Sequence, residues 1–551
     1  MRRLKKTPGE PQDTRCPGTL QEMLRPSRIT GLVLGPLSAV QALLSVSFAL
    51  ATRRVIDSAI GQSEDVIAAC LLFGALAIGI PLLRGAVQAL AVWRNDRTVA
   101  MIRRDFLAVL ERKDCEALGG FHSAYLFSRV TADTATVCGK YATLRPSVVG
   151  QGVQLVGAMA ALLLLKPALA GIVLLCGCAM GLCGLLLRKI LKGIHLKLRS
   201  AGEKVSAAMQ ESLEHLEVHR SILAENEVIQ RFSLRQEAWL RICTRLRRVS
   251  IGGSTLFSLV LQCASAVLIV WGAFSIRGGN LTYGELTAIL QLVNLFRSPV
   301  SSLTGLQSQL AAVDAAEERI MELWNLPDEP TGEEIPKDAV LRAVVLEHVT
   351  FSYAGEETPV FSDFSARIPF GEWTCLTGVS GRGKSTLFRL VLGLYHPQSG
   401  RIFVETDRGN YPCCAAARRV FGFVPQEPIL FSGTLRENLL LAKPEAEDEE
   451  LRAVLERAAC GFVRDLPNGL DTELGETGAG LSVGQKQRVA VARALLSGAG
   501  MLLLDEISSA LDRETERQLV ERLAAACPSV LITTHRPDGL DGVKMRHLHL
   551  D

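Results

Sequence analysis

Six apolar runs, each about the length of a bilayer-spanning helix and almost free of charge, set the first constraint on this chain of 551 residues. They cover residues 31–52, 66–92, 148–165, 168–187, 251–276 and 286–306, the last being the most polar. A hydrocarbon layer of about 30 Å is crossed by about 20 helical residues. Within it every backbone N–H and C=O must be satisfied inside the chain, which makes helix the form for runs of this length. Only Lys166 and Pro167 separate the third and fourth runs, so these two are expected to form a helical hairpin with a very short turn. An all-α transmembrane domain of six helices is expected over residues 28–323, embedded in a lipid bilayer.

Charge orients the runs. Arg94, Arg97, Arg103, Arg104, Arg112 and Lys113 lie between the second and third, and Arg188, Lys189, Lys192, Lys197, Arg245, Arg247 and Arg248 between the fourth and fifth. By the positive-inside bias these long segments and the Lys/Arg-rich N-terminus face the cytoplasm. Arg53 and Arg54, at the far end of the first run, go against that bias. The long segments are themselves helix-like, so the spans are expected to continue well past the bilayer. The opening residues 1–27 lack the apolar core and small-residue cleavage site of a signal peptide and read as a cytoplasmic tail. The 14 cysteines are scattered without paired spacing, which supports neither a zinc site nor a disulfide framework. Arg84, Gln88, Gln151, Gln154 and Gln262 are polar groups at or near membrane depth. They read either as substrate contacts or, for the glutamines, as interhelical hydrogen-bond partners, and for Arg84, near the inner end of its span, as a snorkelling cation, the preferred reading there.

After residue 323 the pattern changes. A Pro- and acid-rich linker, residues 324–339, leads into residues 340–551, where short β-branched runs alternate with helical ones, as in an α/β domain with a largely parallel sheet. "GVSGRGKST" follows the strand "WTCLTG" and precedes the helix "LFRLVLGL", the context of a phosphate-binding loop. Gly378, Gly381 and Gly383 let backbone N–H groups close around a β-phosphate. Lys384 reaches the β- and γ-phosphates, Ser385 offers a hydroxyl to Mg²⁺, and Ser380 and Thr386 complete the loop. Downstream, the strand "MLLLDE" delivers Asp505 toward the metal and Glu506 toward the water that attacks the γ-phosphorus.

In chain order the domain shows "FSY" with Tyr353, the phosphate loop, "VPQEPILF" with Gln426, "LSVGQ", "LLLDE", "SSALD" with Asp512, and "TTH" with His535. This succession resembles the nucleotide-binding domain of an ATP-binding cassette (ABC) transporter. Six spans fused in front of one such domain resemble a type I exporter half-transporter. "FHSAYLFSRVTADT" and "SILAENEVIQRF" are similar to that family's first and second coupling segments. The resemblance implies a membrane all-α six-helix domain plus an α/β P-loop NTPase domain, with ATP and Mg²⁺ as cofactors. It places the chain in a bacterial cytoplasmic membrane with its nucleotide domain inside.

The resemblance also implies residue roles. Tyr353 would stack on adenine. Ser385, Gln426 and Asp505 would serve the metal, and Glu506, His535 and Gln426 the hydrolytic step. Asp512 would lie where two nucleotide domains touch. Ser482, Gly484 and Gln485, at a helix N-terminus with its unpaired N–H groups, would bind the γ-phosphate of ATP held by a second half-transporter, identical or merely similar. The chain departs from the family's usual Gly at Val483 and its usual small residue at Arg382. Two readings follow: an exporter subunit that hydrolyses ATP, or a regulatory half of a heterodimer in which ATP binding matters and hydrolysis does not. A soluble P-loop ATPase acting on nucleic acid is disfavoured by the six runs and by the lack of a basic patch with interleaved aromatics.

Overall fold

The computed structural model describes residues 19–61, 66–353, 355–356, 358–379, 381–475, 478, 480–507, 511–534 and 543–550. Ser380, His535 and the tail before residue 19 therefore lie outside the described residues. The chain divides into two compact units, one of residues 1–111 and 123–325, the other of residues 112–122 and 326–551.

The first unit is helical. Its long helices are α1 (Arg25–Ile60), α2 (Val66–Leu110), α3 (Arg145–Leu165), α4 (Pro167–Glu214) and α5 (Glu225–Arg277). At about 1.5 Å per residue, the 45 residues of α2 and 53 of α5 far exceed the span of a bilayer core, as the helix-like flanks led one to expect. Among the described residues four helical stretches are long and apolar enough to cross a membrane: Arg25–Ile60, Val66–Leu110, Ser123–Leu165 and Glu225–Arg277. The fourth expected run falls on α4, whose first residue, Pro167, suits a helix start because its missing N–H would be unpaired there anyway. The apolar window of α2 buries none of its residues within the chain. Ile67, Leu71, Ile78 and Leu82 are exposed on it, so lipid or another chain has to cover them.

The sixth run is interrupted. It forms α6 (Tyr283–Leu295), opened by a capping box between Thr282 and Glu285, and then α7 (Arg297–Trp324), with a break at Phe296. Pro299 has no N–H to give the Leu295 carbonyl. Gln154 Nε2 on α3 donates to that carbonyl at 3.0 Å instead, so this glutamine is engaged as an interhelical partner. Arg53, the exception to the charge bias, is compensated by ion pairs to Glu285 at 2.9 Å and Asp57 at 3.4 Å. Arg319 of α7 grips Asp133 with both carboxylate oxygens engaged, and Lys140 pairs with Glu317 at 2.8 Å. These bonds fix α7 to the helical stretch ahead of α3.

The second unit holds two main sheets. Strands β1 (Leu341–Phe351), β2 (Phe361–Pro369), β4 (Ser399–Thr406) and β5 (Asn410–Pro412) form an antiparallel sheet in the order β2-β1-β4-β5. Strands β3 (Trp373–Gly378), β6 (Phe421–Val424), β9 (Met501–Asp505), β10 (Val530–Thr533) and β11 (Met545–Leu550) form a parallel sheet in the order β11-β3-β10-β9-β6. Gly433–Thr434 (β7) and Glu473–Leu474 (β8) make a short ladder. The parallel sheet is covered on both faces, which is why β9 reads as an unbroken apolar run. Leu502 and Leu504 point into one core cluster, and Met501 and Leu503 into the other, with Leu387 and Phe388 of the helix after the phosphate loop.

The chain entering this unit is fastened on two sides. Asp114 N–H donates to Pro327 O at 3.0 Å and Glu329 N–H to Arg112 O at 2.9 Å. The buried Lys113 pairs with Asp328 and donates to Leu326 O, both at 2.7 Å. Arg418 binds Glu329 through two nitrogens and also donates to Leu392 O at 2.8 Å. Of the expected linker, residues 324–339, residues 324–325 belong to the first unit, and residues 326–339 thus pack within this one. Residues 112–122, with the short helix Cys115–Gly119, join them, so the stretch expected as the first coupling segment, residues 121–134, divides after His122.

Candidate nucleotide-binding site

Parallel α/β sheets present their sites at the carboxyl ends of the strands, and the expected residues collect there. Gly378 ends β3, Asp505 ends β9 and Thr533 ends β10, while Gln426 stands two residues beyond the end of β6. Helix α8 (Lys384–Val391) starts from Gly383, whose φ of +85° falls in the left-handed region. A Cβ there would stand 2.5 Å from Val360 Cγ1, so the loop is shaped for glycine twice over. Lys384 is buried, and its Nζ donates to Gly378 O at 3.2 Å, folding the cation back over its own loop. Arg382 is exposed.

Among the described residues, Gln426, Thr533 and Gln487 bond to Glu506. Gln426 Nε2 donates to its carboxylate at 2.7 Å, its own N–H donates to Thr533 Oγ1 at 2.9 Å, and Gln487 Nε2 donates to its carbonyl at 3.5 Å. Its φ is +49°, a left-handed backbone that a non-glycine residue rarely adopts. Thr533 Oγ1 also donates to Asp505 Oδ1 at 2.7 Å. "TTH" drew attention for its histidine, yet Thr533 is the residue that touches both acids. A hydroxyl at the end of the otherwise aliphatic "VLI" strand was the signal for it.

Tyr353 lies edge-on to Phe351 and Tyr395, with ring centroids 5.2 and 5.7 Å away. Its hydroxyl is 2.8 Å from Thr386 Oγ1 and accepts from Arg389 at 3.1 Å. The aromatic residue expected at adenine is thereby tied to the phosphate loop's last residue. Asp512 caps helix α10 (Arg513–Ala526), Oδ1 accepting from Thr515 N–H at 3.0 Å and Oδ2 from its hydroxyl at 2.8 Å. Those bonds hold the Asp512 carboxyl below the usual carboxylate range.

The "LSVGQ" stretch opens helix α9 (Val483–Leu496). Ser482 and Gln485 form a capping box: Ser482 Oγ accepts from Gln485 N–H at 3.3 Å, and Gln485 Oε1 accepts from Ser482 N–H at 2.9 Å. Gly484 is buried, whereas Val483 is 58% exposed. The β-branched side chain therefore fits the first turn without crowding its own chain.

The loop and acids fit a Mg–nucleotide. The Ser385 hydroxyl, Asp505 carboxylate and Gln426 amide are oxygen donors suited to a hard cation that takes its remaining ligands from phosphates and water.

A membrane domain of long helices joined to a P-loop domain defines an ATP-binding membrane transporter. Family profiles agree: one described as "ABC transporter transmembrane region" covers residues 32–300 and one described as "ABC transporter" covers residues 361–509. The ABC multidrug transporter mdr2 of Aspergillus fumigatus is 31% identical over 82% of this chain and 58% of its own length. The chain thus spans less than two thirds of that relative. ATP-dependent lipid A-core flippases are similar over more of their length. That of Methylobacillus flagellatus is 30% identical over 82% of this chain and 76% of its own. That of Vibrio cholerae is 29% identical over 92% and 88%. A structure of a bacterial Atm1-family ABC exporter with ATP bound shares the fold, with a TM-score of 0.76 at 20% identity over 96% of this chain and 94% of that one. The chain belongs to the ABC transporter family and joins one transmembrane domain to one nucleotide-binding domain.

Proposed function

We propose that this chain is the ATP-hydrolysing half of an exporter dimer. The observation that carries the reading is the junction of Gln426, Glu506 and Asp505 at the strand ends that also present the phosphate loop. Lys384 and the loop N–H groups bind the phosphates of ATP, and Tyr353 lies beside the adenine. Ser385, Gln426 and Asp505 hold Mg²⁺, which neutralises charge on the phosphate oxygens. Glu506 orients and deprotonates the attacking water, with His535 at the γ-phosphate.

Ser482, Gly484 and Gln485 bind the γ-phosphate of the nucleotide held by the second subunit. The first turn of α9 suits that role because the capping box takes the Gln485 N–H and leaves those of Val483 and Gly484 without helical partners. Two ATP molecules draw two such domains together at a surface that includes Asp512. Their closing and parting alternates the access of the spans and exports the substrate. The nucleotide domain and N-terminus lie in the cytoplasm.

ATP hydrolysis by the purified chain in lipid nanodiscs, beside Lys384→Ala, tests the reading. Mg²⁺-dependent turnover in the wild type and its loss in the variant are expected. A wild-type chain that binds ATP and hydrolyses none, even at high protein concentration, contradicts the proposal and favours a regulatory half.

A further inference from the structure

We infer that Thr533 is a positioning residue that couples the metal-side carboxylate Asp505 to the water-activating Glu506; the inference rests on the function proposed above for those two acids. Thr533 and Asp505 are register partners on the adjacent parallel strands β10 and β9, so their side chains leave the sheet on the same face. Alternation along both strands identifies that face. Leu531 and Leu503, two residues earlier on each strand, belong to the cluster packed by Leu387, Phe388, Leu390 and Val391 of the phosphate-loop helix. Asp505 and Thr533 therefore stand on the face that carries the loop.

The hydroxyl is fully buried, as is most of Asp505. A buried hydroxyl needs partners, and this one has two with opposite roles. It accepts the Glu506 N–H at 2.9 Å and donates to Asp505 Oδ1 at 2.7 Å. The first bond fixes the backbone where it turns into the left-handed region at Glu506, a conformation a side-chain-bearing residue holds only when its surroundings impose it. The second fixes the rotation of the Asp505 carboxylate and leaves Oδ2 for the metal side. One oxygen atom thus sets the relative placement of the two acids. A valine would fill the same space on a β-strand and supply neither bond.

The test uses the full-length protein in nanodiscs and three chains: wild type, Thr533→Val and Thr533→Ser. Mn²⁺ binding in the presence of ATP is titrated by electron paramagnetic resonance, and ATP turnover is measured alongside. Losing an outer partner of a metal ligand weakens metal affinity about 10- to 100-fold. Thr533→Val is expected to weaken Mn²⁺ binding by about tenfold and to lower kcat while KM for ATP stays within about twofold, and Thr533→Ser to restore both. The inference is overturned if Thr533→Val binds Mn²⁺ like the wild type. It is overturned equally if valine and serine weaken it alike, because the role would then be packing. A wild-type chain that binds Mn²⁺ with ATP and hydrolyses nothing contradicts the proposed function, while the metal titration still decides the role of Thr533.

Discussion

Gln426 Nε2 and Glu506 Oε2 meet at 2.7 Å although 80 residues separate them in the chain. Val424 of β6 and Leu504 of β9 are register partners on neighbouring parallel strands. Gln426 and Glu506 each follow two residues later, so the sheet register itself delivers the amide to the carboxylate. The side chain just beyond one strand reports on the acid just beyond the next, and residues in the loop after β6 can act on Glu506 through this single bond.

The phosphate loop depends on a glycine for two separate reasons, and Gly383→Ala tests both. The substitution forces a side chain into φ +85° and sets its Cβ 2.5 Å from Val360 Cγ1 and 3.0 Å from Phe361 Cζ. A destabilisation of about 1–3 kcal/mol is expected from the backbone alone, with loss of ATP binding. Thermal unfolding and an ATP titration on the same preparation check it; unchanged binding would remove this loop from the nucleotide site.

Val483 faces outward, so its effect should appear between chains and hardly at all within one. Val483→Gly is expected to change folding stability by no more than about 1 kcal/mol, the difference in helix propensity. ATP turnover of the dimer is expected to rise, because an isopropyl group leaves the turn proposed to meet the partner's nucleotide. A stability loss well beyond that size, or unchanged turnover, contradicts the placement.

Arg436 supplies a pH signature. Its guanidinium donates to Asp471 at 2.8 Å and also to Asp448, and these hydrogen bonds hold both carboxyls below the ordinary carboxylate range. A depressed folded-state value stabilises the fold above the unfolded carboxyl value of about 4 and ceases to do so as pH falls through the folded value. Wild type and Arg436→Gln should therefore differ in thermal midpoint at neutral pH and converge below about pH 4. A gap that persists in acid would assign Arg436 a packing role instead.

Much of this was legible in the sequence for physical reasons that are local. Apolar runs of spanning length, the Gly-Lys-Ser loop after a strand and the "LLLD" run each encode their own environment. The breaks and fastenings were not local. The helix break at Phe296 needed Gln154 from another helix to donate to the Leu295 carbonyl, and the antiparallel pairing of β1 with β2 and β4 lies beyond what alternation in one strand reveals. The packing of residues 326–339 depends on Lys113 and Arg418, which lie more than 70 residues from their partners Asp328 and Glu329. Asp512 carried a contact role from the motif, and its helix cap emerged only with Thr515 in place.

The most direct test of the account is ATP binding and hydrolysis by Glu506→Gln beside the wild type in the same nanodisc preparation. The amide keeps the shape and loses the base, so ATP affinity should stay within a few-fold while turnover falls by about a hundredfold or more, the usual contribution of a positioned general base. A variant that turns over ATP at the wild-type rate would contradict the role given to Glu506 and with it the hydrolytic mechanism.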